Sequence, residues 1–275
     1  MHYRHRYHAG NFADVFKHAL LCALLEALSR KEAPWCYLET HAGAGAYELD
    51  DEGAQATGEW RTGIARVHDA ADAPAAGYLR AVREYNGGGE LRRYPGSPWL
   101  ALRLARAQDR LILCERVPEV AQALKRTLGG DERVAVHVRD GYEAASLLPP
   151  REKRGLVLVD PPFERADEFD ALADFLAAAT RRFAGGVYAA WYPLKNAHAA
   201  DRLVRAAARR TGRPVLDLRL DTGAPGAGRM CRCGFMVLNP PYGYPAQARA
   251  LLAWLAPRLA QGPRAGFDVN ERDVR

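Results

Sequence analysis

Two stretches of the chain end an apolar run in a polar residue, two prolines and an aromatic ring. They are Asp160-Pro161-Pro162-Phe163, after Leu-Val-Leu-Val, and Asn239-Pro240-Pro241-Tyr242, after Met-Val-Leu. This string suits methylation of an amino group on a base. An exocyclic amine is a poor nucleophile because its lone pair is delocalised into the ring. A carboxylate accepting from one N–H and a backbone carbonyl accepting from the other localise that pair. Paired prolines hold both acceptors still, by fixing φ and removing a competing N–H. In the first copy the acceptors are Asp160 and the carbonyl of Pro161, and Phe163 can stack on a base swung out of its helix or loop. Such a site works mainly by positioning, with Asp160 also able to take up the proton.

Only one copy can be that pocket in an enzyme of this size, and strand order separates them. Apolar strands are predicted at 34–39, 110–115, 133–138, 154–160, 185–192, 214–220 and 233–239, with helical segments at 117–128, 141–148, 166–183 and 196–211. Alternation of this kind predicts a parallel, doubly wound sheet. The last connection, DTGAPGAGRMCR, is too rich in glycine and proline for a crossover helix, so a hairpin is expected and the last strand runs antiparallel. A mostly parallel seven-stranded α/β sheet with an antiparallel last strand is the Rossmann-like pattern of S-adenosylmethionine-dependent methyltransferases, an analogy of fold. Asn239 then ends on the far edge of the sheet. Asp160 ends a parallel strand that should lie beside 34–39 at the topological switch point, where open α/β sheets bind ligands. Asp160 is therefore the expected chemical copy.

The same edge collects further acids. Glu39 ends the first strand and runs into Thr-His-Ala-Gly-Ala-Gly, with His41, Gly43 and Gly45 in the turn. A dinucleotide fingerprint would need a third glycine where Glu48 stands, so a pyrophosphate is not the expected ligand. A glycine turn beside acids suits a ligand with a cationic amino-acid end, such as S-adenosylmethionine. Glu115 ends the second parallel strand, where a carboxylate can accept from two ribose hydroxyls. Asp140-Gly141 follows the third, presenting a carboxylate for an adenine amine and a glycine that lets backbone approach.

Other elements position these residues. NFADVFKHALLCALLEAL reads as a buried amphipathic helix capped by Asn11, with Lys17 and His18 on its solvated edge. Some sixty residues separate the first two parallel strands, too many for one crossover. Residues 50–95 are therefore expected to be a small helical insertion, leaving 1–49 and 96–275 as the main domain. Ser97 is the expected N-cap of the helix that leads back to the sheet.

Bulk properties bound the function. The chain has 275 residues, 48% of them apolar, and a net charge of +6, which often marks a polyanionic partner. No apolar run reaches membrane-spanning length, and the N-terminal stretch lacks the apolar core of a secretory signal. Five cysteines, most in apolar surroundings, fit a reduced, cytoplasmic setting. Cys231 and Cys233 have the wrong spacing for structural zinc, and no metal is expected.

These residues resemble a known family, the bacterial 23S ribosomal RNA adenine-N6 methyltransferases of the RlmJ type. The likeness covers YRHRYHAGNFADVFKH, ETHAGAGAY, RRYPGSP, RGLVLVDPPFE, YAAWYP and GFMVLNPP. The first is the most specific. The Asp-Pro-Pro-Phe box is shared by many amine methyltransferases. The resemblance implies S-adenosylmethionine contacts at His18, His41, Ser97, Glu115, Asp140 and Gly141, Asp160 as the catalytic acceptor, and an RNA-facing role for Tyr3 and Lys17. It further implies that RNA is gripped by the N-terminal tail and the catalytic face, with Arg4, Arg6, Arg229 and Arg232 placed for phosphates. Glu39 stands where members commonly have Asp, and Phe163 where many have Tyr; charge and ring are kept. The expected activity is methylation of a 23S adenine on naked or partly assembled RNA, by a monomer. The competing readings are a DNA adenine methyltransferase, against which no sequence-reading domain is visible, and a non-catalytic assembly factor, against which the box and glycine turn are intact.

Overall fold

The computed structural model describes residues 5–71, 74–225 and 230–272. Tyr3, Arg4 and Arg229 lie outside them.

Helix α1 (Phe12–Ser29) is apolar almost all round, and every residue except Glu26 and Ser29 is buried. Such a helix belongs inside a fold rather than on it. Asn11 caps it as expected, its side chain accepting from the Ala13 and Asp14 N–H groups. Strand β1 (Cys36–Glu39) follows. The next segment holds β2 (Ala46–Glu48), α2 (Glu52–Thr57), two short 3-10 turns, α3 (Ala76–Tyr85), β3 (Arg93–Pro95) and α4 (Ser97–Leu104). β2 and β3 form a small antiparallel pair that joins the two roots of the predicted insertion. Its buried residues Ile64, Tyr78, Val82 and Tyr94 share one core with α1.

The chain then alternates: β4 (Arg110–Glu115), α5 (Pro118–Leu128), β5 (Val134–Val138), β6 (Gly155–Val159), α6 (Glu168–Arg182), β7 (Val187–Pro193), α7 (Ala197–Thr211), β8 (Val215–Asp221), β9 (Arg232–Leu238), α8 (Tyr244–Leu259) and β10 (Gly266–Arg272). The segment 141–147 between β5 and β6 is a 3-10 helix.

The main sheet has eight strands in the order β10-β8-β9-β7-β6-β1-β4-β5. β1 pairs in parallel with both β4 and β6, so the chain leaves β1 in one direction and returns on its other side. That is the switch point. β9 is antiparallel to both β7 and β8, as the glycine- and proline-rich connection requires. The strand count differs from the expected seven, because β10 pairs antiparallel with β8 along the sheet edge. Its sequence, GFDVNER, is only partly buried, and a half-exposed polar edge strand lacks the apolar run that marks the others. The helix α8 that returns the chain to it buries Leu251, Leu252 and Leu255 beside α1.

Alternating strand residues supply two cores. Tyr37, Leu111, Leu156 and Phe235 face α1, α4, α5 and α8, while Leu38, Ile112, Val157 and Met236 face α6 and α7. No helix of the described residues is long and apolar enough to cross a membrane.

Candidate active site

Asp160 follows β6 and lies two residues beyond Leu158, which pairs with Glu39 at the end of β1. The turn after β1 is tied to both neighbours: Thr40 N–H donates to the Leu158 carbonyl at 3.1 Å and Ala42 N–H to the Cys114 carbonyl at 2.9 Å. The Asp-Pro-Pro-Phe box and the glycine turn therefore share one edge of the sheet.

Lys17 and His18 are not on a solvated helix edge. Both are buried, at 5% and 1% exposure. Lys17 Nζ lies 2.6 Å from Asp160 Oδ2 and 3.1 Å from Asp14 Oδ1. Asp14 in turn meets His5 Nε2 at 3.0 Å and accepts from the Gly10 N–H at 3.0 Å. The sequence reading missed Asp14 altogether. Its signal was a charged pair at i, i+3 in a helix whose other residues are nearly all apolar. Burial pushes the Asp14 carboxyl up, but the opposing charges of His5 and Lys17 prevail and hold it well below the usual carboxylate range.

Phe163 adopts a left-handed backbone, φ 52°, which a bulky residue takes at a cost of about 1–2 kcal/mol. Its ring is held by Trp191 at 5.7 Å and Phe169 at 5.3 Å between centroids. Trp191, within the YAAWYP motif, forms a wall of this aromatic corner.

Glu39 is completely buried. It accepts from Ser97 Oγ at 2.6 Å and from Tyr37 OH at 2.8 Å. Burial pushes its carboxyl up to about 8, against the two hydrogen bonds. Ser97 is not the N-cap of α4: Gly96 holds that position. The buried carboxylate claims its hydroxyl, because a bond to a group that can carry charge is stronger than one to a backbone amide.

Gly43 and Gly45 both have left-handed backbones, φ 62° and 78°. The Gly43 N–H donates to Glu115 Oε2 at 3.0 Å, and the Val117 N–H to Glu115 Oε1 at 2.9 Å. Each oxygen keeps a further lone pair. Asp140 Oδ1 caps the 3-10 helix by accepting from the Tyr142 N–H, with Arg116 at 3.7 Å from Oδ2. A Cβ on Gly141 would stand 2.2 Å from the Thr40 carbonyl, so glycine is what lets this segment close on the β1 turn. His41 lies edge-on to Tyr142, and its surroundings push the imidazole down to about 4, burial outweighing Asp160 and Asp140.

His18 Nδ1 lies 2.8 Å from Tyr94 OH, which bonds on to Tyr78 OH. His18 Nε2 is buried and has no hydrogen-bond partner. An orphaned ring nitrogen, a glycine cradle and acids at the ends of β1, β4 and β5 fit a ligand with an amino-acid end, ribose hydroxyls and a base. Among the described residues no cluster of His, Cys, Asp and Glu could hold a metal ion.

Of the arginines expected to grip phosphate, Arg6 is exposed, 3.9 Å from Asp51, and Arg232 opens β9 opposite Asp221, at the carboxyl edge. Asn239 lies at the opposite edge. Its amide donates to the Gly186 and Ala184 carbonyls at 2.8 and 3.3 Å, and its oxygen accepts from Arg213 at 2.6 Å. The second box is a structural clamp, remote from the glycine turn.

A family model described as "Ribosomal RNA large subunit methyltransferase D, RlmJ" matches residues 32–270. Ribosomal RNA large subunit methyltransferase J of Escherichia coli (strain K12) is 39% identical, over 94% of this chain and 93% of its own. The protein of that name from Haemophilus influenzae is 38% identical, over 98% and 97%. A crystal structure of a Legionella pneumophila protein superposes with a TM-score of 0.88 at 33% identity, covering 96% of this chain and 98% of that one. The chain belongs to the RlmJ family of ribosomal RNA large subunit methyltransferases.

Proposed function

We propose that the protein methylates the N6 amine of one adenine in 23S ribosomal RNA, with S-adenosyl-L-methionine as donor. The observation that carries this is the position of Asp160-Pro161-Pro162-Phe163 immediately after β6, beside the β1 glycine turn. S-adenosylmethionine, when bound, supplies a methyl group activated by its sulfonium. Glu39, His18, His41, Ser97 and the Gly43–Gly45 turn would hold its amino-acid end, Glu115 its ribose, and Asp140 with Gly141 its adenine.

The chain's own work is to hold the target amine. Asp160 Oδ2 is engaged by Lys17, which fixes the carboxylate and leaves Oδ1 to accept from one N–H of the amine. The Pro161 carbonyl accepts from the other. Localising the lone pair in this way raises nucleophilicity, and Asp160 takes the proton as the new bond forms. Phe163, braced by Trp191 and Phe169, stacks on the extruded base. Lys17 acts on the RNA-facing side through Asp160, while Tyr3, Arg4, Arg6, Arg229 and Arg232 take the RNA backbone. Residues 50–95 act as a helical subdomain on the same core, and the enzyme works as a cytoplasmic monomer.

The test uses labelled S-adenosylmethionine with 23S transcript, duplex DNA or no nucleic acid, followed by nucleoside analysis. N6-methyladenosine in the transcript alone is the expected result. Label in DNA but not RNA, or in neither, would overturn the reading.

A further inference from the structure

Helix α7 begins four residues beyond β7, on the sheet edge that carries Asp160 at the end of neighbouring β6. It buries Ala200, Leu203, Val204, Ala207 and Ala208. The intervening positions put His198, Arg202, Arg205 and Arg209 on solvent, with exposed Lys195 in the preceding turn. Steps of four, three and four residues make one stripe, about 16 Å long at 1.5 Å per residue.

These cations are not spent on local pairs. Lys195, Arg202 and Arg209 make no hydrogen bond or ion pair with another described residue. Arg205 feels Asp201, but Asp201 is itself held by Arg219 at 2.6 Å. The adjacent Arg210 behaves differently: it turns to α6 and pairs with Asp174 at 2.8 Å and Asp170 at 3.2 Å. The exposed acids Asp167, Asp170 and Asp174 belong to α6 and its N-terminus, and α6 carries exposed arginines, Arg181 and Arg182, only in its last turn, whereas α7 presents arginines along its solvent face. Arg232 stands at the same carboxyl edge, where β9 begins.

We propose that the solvent face of α7 is a backbone track for the substrate RNA, carrying the segment that flanks the target base away from the Asp160 edge. The inference rests on the RNA reading above. Guanidinium groups at regular steps match successive phosphates, each of which an arginine can take in a bidentate fork. An acidic protein partner fits less well, because a protein interface needs an apolar centre. Among the described residues the exposed large apolar ones are Val117, Val138 and Tyr242, none of them on α7.

The test compares the Arg202→Gln/Arg205→Gln/Arg209→Gln triple variant with a control triple, Lys31→Gln/Lys125→Gln/Arg126→Gln, of equal charge loss on other exposed surfaces. Binding of the full-length transcript is followed against salt, and methyl transfer is resolved into KM and kcat. The α7 triple should flatten the slope of log affinity against log salt by about 2. It should raise KM for RNA by about tenfold or more and leave kcat at saturating RNA unchanged, while the control keeps wild-type values. Replacing the three arginines by lysine should retain the slope. An α7 triple with wild-type slope and KM, or equal losses in both triples, would overturn the assignment. The binding arm tests α7 even if no methyl reaches RNA, so failure of the functional reading is seen separately.

Discussion

Lys17 Nζ lies 2.6 Å from Asp160 Oδ2, joining a helix near the start of the chain to the end of β6 across 143 residues of sequence. The lysine is shared with Asp14 at 3.1 Å, and Asp14 is anchored by His5 and by the Gly10 N–H. The N-terminal segment is thereby tied to the sheet edge that carries Asp160, and a fixed cation orients that carboxylate.

Removing the lysine should damage both fold and chemistry. Lys17→Ala leaves two carboxylates, one of them fully buried, without their shared cation, a change of about 3 kcal/mol or more in stability. Methyl transfer should fall on the order of a hundredfold at a temperature where the variant is folded. Denaturant melts and single-turnover rates check the two effects. A variant with both near wild type would show that the contact is incidental.

Asn239→Ala should separate the two proline boxes. It removes bonds to the Gly186 and Ala184 carbonyls and to Arg213, so stability should drop by about 1–3 kcal/mol. Transfer by the folded variant should match wild type. Loss of activity with fold and cofactor affinity preserved would reverse the choice of box.

Gly141→Ala tests the cofactor cradle. The added methyl would stand 2.2 Å from the Thr40 carbonyl and 2.9 Å from His41 Cε1, so the β1 turn and the Asp140 segment must move apart. Affinity for S-adenosylmethionine, read by calorimetry, should weaken on the order of tenfold or more. Unchanged affinity would place the cofactor elsewhere.

Glu39 gives stability a pH signature. Burial raises its carboxyl from the ordinary 4.5 to about 8. Between these values the native chain holds a proton that the unfolded chain has lost. Its contribution is fully present below about 4.5 and is lost as pH rises through about 8. The urea midpoint of the wild type should fall across that window. Glu39→Gln, whose amide oxygen still accepts from Ser97 or Tyr37 but cannot ionise, should flatten the fall. An identical slope in both proteins would contradict the assignment.

Much of this was legible in the residues. The Leu-Val-Leu-Val run, the glycine turn and the acids at strand ends marked the switch point. The Gly/Pro-rich stretch at 221–232 foretold an antiparallel β9, and so the place of Asn239 on the opposite edge. What stayed hidden depended on contacts far apart in sequence. Nothing local to Lys17 shows that its ammonium reaches Asp160. Ser97 looks like a cap until Glu39 arrives from 58 residues away. β10 was missed because an edge strand with one open side carries no apolar pattern.

The most direct measurement is single-turnover methyl transfer from labelled S-adenosylmethionine to 23S transcript by wild type and Asp160→Ala, with cofactor affinity measured in parallel. The variant should bind the cofactor as wild type does and transfer label at least about a hundredfold more slowly. Transfer at the wild-type rate would contradict the account, because the target amine would then not depend on the Asp160 carboxylate.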